Sequence, residues 1–383
     1  MFKKKEEVNR DFCLEKAAAI LAEYRKILIG LDSTGEGLIR DLLTGVPYSE
    51  NGRKRIGKPP TLLMAAPGVG KTDSAVTIAS AIDGKFSFIP FNPEMKVSDL
   101  IGADIYDPSS GSFYFAEGPI CSSHIVLADE ISRGHPKTQA CLLQVMEERV
   151  AIASRMDAVL KRIVSQVKRL VPISDKSEEK RCISWIVGTG NPFEQEGTYP
   201  IPEAQLDRFT TCRSIDLPKR EDEKRIRLTS VYNPYDENAS PMVQKATNLS
   251  EVWNMTGFII KDVRPINELP DDSANELLQR LVENSRPREK NKEERRIHSP
   301  EKLQKFIDNY VKAGLSPRAN FHFEAVARTL AFFRQRNYIS VDDIKDVARL
   351  VMAHRIMLKP LAKGRGIKQH DVVEEILRLT PLP

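Results

Sequence analysis

Residues 65–72 read AAPGVGKT. Gly68 and Gly70 let the main chain turn so that its amide N–H groups point inward, a concavity suited to phosphate oxygens. The helix that begins near Lys71 adds its positive end. At this spacing Lys71 meets the β and γ phosphates of a nucleotide and the Thr72 hydroxyl binds Mg²⁺. Pro67, Val69 and Asp73 complete the stretch expected to surround the phosphates. The general pattern GxxxxGK[ST] asks for glycine where this chain has Ala65. The bland alternative is a glycine turn joining a strand to a helix. It leaves the Lys-Thr pair at the correct offset unexplained.

A second constellation lies downstream. HIVLADE places Asp129 and Glu130 at the end of an apolar strand. Two carboxylates are costly to hold at the mouth of a buried sheet unless positive charge is near, and Mg-ATP supplies it. Asp129 would then hold Mg²⁺, and Glu130 would polarise the attacking water. An ordinary strand exit, where Asp and Glu are common, is the competing account. WIVGTGNP ends another strand with Thr189 and Asn191. The Asn191 amide offers a donor and an acceptor, enough to orient a water and touch a γ phosphate; a turn residue before Pro192 would look the same.

Such residues need elements that bring them together. TLLMAA, FSFIPF, HIVLAD and CISWIVGTG are short, β-rich apolar runs separated by helical segments. That alternation predicts a parallel sheet flanked by helices, with ligands at the carboxyl ends of its strands. Upstream, Val8–Tyr24 reads as an amphipathic helix with Phe12, Ala17, Ile20 and Leu21 on its apolar side, and a second helix is expected near Gly35–Leu43. The polar stretch SENGRKRIGKPP reads as a loop. Residues 1–58 are thus N-terminal helices and a linker, and 59–220 the α/β core. Residues 221–299, rich in Pro, Asn, Ser and charge, are expected to be a partly exposed insertion or linker. From Pro300 to the end the pattern is helical, with Ser340 and Asp343 forming a capping box ahead of IKDVARLVMAHRI.

Composition narrows the class. Hydrophobic residues at 41% and charged residues at 29% of 383 exclude wholesale disorder. The net charge of +5 permits contact with nucleic acid without arguing for it. Cys13, Cys121, Cys141, Cys182 and Cys212 are scattered and form no CxxC pair, against a disulfide framework or zinc site. No apolar run approaches the roughly 18–20 residues of a membrane span, and no apolar stretch follows the basic N-terminus. A cytoplasmic protein is expected.

Together these motifs resemble the MoxR group of AAA+ ATPases. The resemblance rests on APGVGKT (66–72), SDLIGADIYDPSSGSFYFAEGPI (98–120), IVLADEISRGHPKTQACLLQVMEERV (125–150), GNPFEQEGTYPIPEAQLDRF (190–209) and GLSPRA (314–319). It implies a P-loop NTPase domain of three αβα layers followed by a small α-helical lid, and Mg²⁺-dependent ATP hydrolysis. It maps Asn191 onto the first sensor, Arg208 onto an arginine finger supplied by the next subunit, and Arg318 onto the second sensor of the lid. A planar guanidinium can bind two γ-phosphate oxygens at once; without the resemblance Arg208 reads as a surface ion pair with Asp207 or Glu203. Arg133 either reaches a nucleotide across the interface or is a solvated helix-start arginine.

The resemblance further implies a homo-oligomer, usually a hexameric ring, that remodels or activates a client protein in a chaperone-like way. Partners with a von Willebrand factor A domain are common in the family. A nucleic-acid motor and the ATPase subunit of a metal chelatase are the alternatives. Residues 99–118 match the insertion this branch carries near its central pore, with Phe113, Tyr114 and Phe115 either exposed there or, the preferred reading, buried as a short strand. Between Arg149 and Trp185 the family has a shorter β hairpin. Here Val159, Ile163, Val167 and Leu170 fall at helical spacing among basic residues, which predicts a basic amphipathic helix in an insertion at about 151–182.

Overall fold

A computed structural model describes residues 8–50, 53–157, 162–169, 185–191, 199–229, 243–288 and 299–383. The chain forms two compact units. One comprises Met1–Leu43, Pro47–Ile201 and Arg213–Met255; the other Thr44–Val46, Pro202–Cys212 and Thr256–Pro383.

The main sheet has strands β1 (Thr61–Met64), β2 (Phe86–Pro90), β3 (Ile125–Asp129), β4 (Trp185–Gly190) and β5 (Thr211–Ser214), in the order β5-β1-β4-β3-β2. The pairs β1–β4, β4–β3 and β3–β2 run parallel. Central strands of such a sheet are covered on both faces and so read as continuous apolar runs. Ile125 through Ala128 and Trp185 through Gly190 are buried without alternation. The register sets Gly188 opposite both Leu62 and Ala128, so the ends of β1, β4 and β3 emerge together.

The first helix runs from Arg10 to Ile27 with Asn9 as its cap, and buries Cys13, Ala17, Ile20 and Tyr24. A second spans Asp32–Leu43. Where a polar loop was expected over 49–60, the strand Val46–Glu50 runs into it and pairs with the strand Arg53–Gly57 within it. Lys58 at its end is buried, with its amine on the Leu42 carbonyl at 2.7 Å and over the Trp253 ring.

Two further expectations are corrected. Residues 162–169 are not a basic amphipathic helix but a strand, paired antiparallel with Val150–Asp157 from Arg162↔Asp157 to Arg169↔Val150. Ile163, Val164 and Val167 are β-branched and lose side-chain freedom in a helix, which outweighs a coincidental helical spacing. Val159 and Leu170 lie outside the described residues. Phe113 and Tyr114 are not buried: Gly102–Asp107 and Ser112–Glu117 form a hairpin on which Ile105, Tyr106, Phe113 and Tyr114 are 44–54% exposed. Tyr106 pairs with Phe113 and Ile105 with Tyr114, so both faces carry apolar groups. Gly102 closes the base of this hairpin with φ +103, where a Cβ would meet the Ala116 carbonyl oxygen at 2.0 Å.

The second unit is helical and begins well before Pro300. Where a partly exposed insertion or linker was expected, the helix Leu249–Asp262, whose residues to Met255 belong to the first unit, buries Val252, Met255 and Ile259, and the helix Ser273–Asn284 buries Leu277, Leu278 and Leu281. Helices Glu301–Tyr310, Arg318–Phe333, Val341–Met352 and Gln369–Leu379 follow. Among the described residues no helix is long and apolar enough to cross a membrane.

The predicted capping box is present: the Ser340 hydroxyl accepts the Asp343 N–H, and Asp343 accepts the Ser340 N–H. The buried Asp343 carboxylate also receives Arg334 at 2.9 Å and Arg336 at 2.6 Å. Replacing Asp343 with Ala removes the cap and leaves both half-exposed arginines without this partner. We expect a loss of about 2–3 kcal/mol, and roughly half of that for Asp343→Asn, read from the unfolding transition in denaturant.

Candidate active site

The loop between β1 and the helix Lys71–Ser80 turns on Gly68 and Gly70, at φ +78 and +82. Gly70 sits at the helix N-cap in the left-handed region. A Cβ there would press on Leu28 and Leu31 at 3.2 and 3.3 Å. These two leucines, buried at the junction of the first two helices, back the loop from outside the motif. Ala65 has no positive φ and its N–H donates to the Gly190 carbonyl at 3.3 Å, so alanine replaces the usual glycine without strain.

Lys71 is buried, and its ammonium donates to the carbonyls of Ala65 at 2.9 Å and Gly190 at 3.2 Å. Burial pushes its pKa down, while the carboxylates of Asp129 and Glu130 push it back up. The Thr72 hydroxyl lies 3.3 and 3.4 Å from the two Asp129 carboxylate oxygens. That pairing of a hydroxyl and a carboxylate, both hard oxygen donors, fits a small divalent cation such as Mg²⁺.

Asp129 closes β3, and the next residue departs from the strand: Glu130 adopts φ 51, ψ 52. A non-glycine residue pays on the order of 1–2 kcal/mol for this left-handed conformation, and such strain gathers at functional sites. It is offset by Thr189 on the neighbouring strand β4. The Thr189 hydroxyl donates to Asp129 at 2.6 Å and accepts the Glu130 N–H at 2.8 Å. In the sequence Thr189 is simply a threonine at a strand end. The signal that could have found it is register: on a strand between β1 and β3, the last buried polar residue must face its neighbours' functional ends.

Asn191 follows β4 directly, half-buried, where the ends of β1 and β3 converge. Arg133 pairs with Glu130 of its own chain, Nε to Oε2 at 2.8 Å. Both side chains are partly exposed, so the pair is worth little and exchanges readily for another partner. The first unit thus brings together Pro67, Gly68, Val69, Gly70, Lys71, Thr72, Asp73, Asp129, Glu130, Arg133 and Asn191.

Arg208 and Arg318 belong to the second unit. Arg208 lies in the turn after the short helix Glu203–Leu206, its N–H on the Gln205 carbonyl at 3.2 Å. Arg318 opens the helix Arg318–Phe333 and approaches Asp207 at 3.7 Å.

Comparison with known proteins agrees along most of the chain. Residues 60–167 and 158–211 match the "ATPase family associated with various cellular activities (AAA)", and 303–376 match an AAA lid domain. The uncharacterized protein YeaC of Bacillus subtilis is 30% identical over 328 residues, 86% of this chain and 87% of its own. Chaperone MoxR1 of Mycobacterium tuberculosis is 29% identical over 371 residues, 97% of this chain and 82% of its own. A solved structure of a protein assigned as an ATPase from Cytophaga hutchinsonii superposes with a TM-score of 0.73 at 28% identity, covering 98% and 97% of the two chains. Likeness sustained through both the phosphate-loop domain and the helical lid has one reading: this chain belongs to the MoxR-like family of AAA+ ATPases.

Proposed function

We propose that this ATPase works as a homo-oligomeric ring, a hexamer, in which each copy hydrolyses Mg-ATP with help from its neighbour and uses the turnover to remodel a client protein. The observation that carries the nucleotide reading is the meeting of Thr72 and Asp129 at 3.3–3.4 Å beside the turned loop and Lys71. Main-chain amides of 68–72 receive phosphate oxygens. Lys71 exchanges its two carbonyl partners for the β and γ phosphates, a stronger, charge-assisted contact. Thr72 and Asp129 would hold Mg²⁺, which would supply positive charge to neutralise the phosphates. Glu130 accepts a proton from the attacking water as the γ phosphoryl leaves, and Asn191 orients that water. Arg208 of an adjacent copy meets the charge that spreads over the γ-phosphate oxygens, and Arg318 binds nucleotide as the lid's sensor.

Arg133 competes for Glu130. In the ion pair at 2.8 Å the carboxylate is engaged and poorly placed to take a proton. A phosphate-rich neighbour would draw the arginine away and release the base. The chaperone-like role draws support from the relative named Chaperone MoxR1 and from the hairpin at 102–117, whose four exposed apolar side chains offer a client contact.

Glu130→Gln should keep ATP affinity within about twofold and lower turnover by roughly 10²–10⁴, the usual worth of a positioned base; comparing nucleotide binding with steady-state phosphate release checks this. Normal hydrolysis by that variant would remove Glu130 from the role. Thr189→Val deletes the hydroxyl bridging Asp129 and Glu130. A hydrogen bond to a charged group is worth about 1.5–3 kcal/mol, so turnover should fall roughly 10-fold or more, with a higher Mg²⁺ requirement in a titration at fixed ATP.

A further inference from the structure

The residues on either side of Arg208 are held by a single buried guanidinium. Arg355, only 3% exposed, lies just past the helix Val341–Met352. Its Nε donates to the Asp207 carboxylate at 2.9 Å. One terminal nitrogen donates to the main-chain carbonyls of Asp207, at 3.2 Å, and Phe209, and meets the ring nitrogen Nδ1 of His322. The other donates to the Thr210 carbonyl at 3.3 Å and to that of Val351. His354 adds a contact between its Nε2 and the Phe209 carbonyl at 3.0 Å. The second oxygen of Asp207 accepts the Ser316 hydroxyl at 3.0 Å and faces Arg318. Residues 207, 209 and 210 are therefore gripped one after another, and every contact of Arg355 in this stretch falls on a neighbour of Arg208.

Stability alone does not account for this cluster. Burying the Arg355 guanidinium is costly, its attraction to the part-exposed Asp207 does little more than offset that cost, and apolar packing often does as well. What the arrangement supplies is direction. A planar fork with five donors fixes several acceptors in one geometry, which an ammonium on a flexible stem cannot do. Burial draws the Arg355 pKa down to about 10 against the pull of Asp207, which still leaves it cationic near neutral pH.

We propose that Arg355 is a positioning residue for Arg208: by holding Asp207, Phe209 and Thr210 it sets the main chain on both sides of Arg208 and so aims that guanidinium at the nucleotide of an adjacent copy. This rests on the reading of Arg208 as an arginine acting in trans.

Mixed rings separate the two ideas. Arg208→Ala copies have intact sites but supply no finger, and Lys71→Ala copies supply fingers but have no working site, so their mixture should hydrolyse ATP at least about 10-fold faster than either alone, given the large worth of such fingers. Placing Arg355→Met on the Lys71→Ala copy, which supplies the finger, should abolish nine-tenths or more of that rescue. Placing it on the Arg208→Ala copy, whose finger is already absent, should leave the rescue within about twofold. Equal loss in both arrangements means that Arg355 merely holds the fold and overturns the proposal, as does rescue that survives in both. Failure of the unmodified mixture overturns the in-trans reading itself and the proposal with it. Arg355→Lys keeps the charge but not the fork and must show the same asymmetry, which covers the case in which Arg355→Met fails to fold.

Discussion

Like charges must share the carboxyl end of this sheet, and the hydroxyl of Thr189 is what lets them. Asp129 and Glu130 are consecutive, so an ordinary strand would send their side chains to opposite faces. Bringing both toward one place requires the chain to break at Glu130, into φ and ψ that favour glycine. A backbone N–H turned inward by that break needs an acceptor, and a carboxylate beside it needs a donor. One hydroxyl satisfies both, at 2.8 and 2.6 Å. The parallel register that sets β4 between β1 and β3 is what delivers it.

The same frame explains the state of Lys71. A buried ammonium is costly unless hydrogen-bonded. Here it is capped by two carbonyls, one from the loop and one from the end of β4. These are neutral acceptors, weaker than phosphate oxygens, so in the proposed function a triphosphate would take up the lysine by exchange rather than by moving it far. Glu130 and Arg133 follow the same logic at the surface, where a partly exposed pair holds the carboxylate only loosely. Lys71 and Glu130 thus each have a partner that nucleotide would displace in the proposed function.

Much of this was legible in the residues. The glycine loop, the Lys-Thr pair and the acidic strand end are local signals, fixed by spacing within a few positions. The strands β1, β3 and β4 were legible because central parallel strands carry unbroken apolar runs. What escaped depended on distant neighbours. Thr189 looks like any strand-end threonine until its register to Asp129 is known. Leu28 and Leu31, some forty residues away in sequence, occupy the space that a Cβ on Gly70 would need. The run Ile163–Val167 fits helical spacing and strand propensity alike, and only its partner strand decides. A short strand with Phe and Tyr usually fills a core, but here the ring contact of Tyr106 with Phe113 is made within the hairpin itself.

Arg355 marks a further limit. In sequence it is one arginine at the end of a helix, with nothing to distinguish it from a solvated one. Its meaning comes from the 148 residues separating it from Asp207, a distance only the folded chain closes. Asp207 in turn is shared among Arg355, Ser316 and Arg318. The residue that opens the lid helix and the residue next to the candidate finger therefore answer to one carboxylate. Two arginines assigned separate duties toward nucleotide thus have a common mechanical root within one unit, a property that neither motif discloses when read alone.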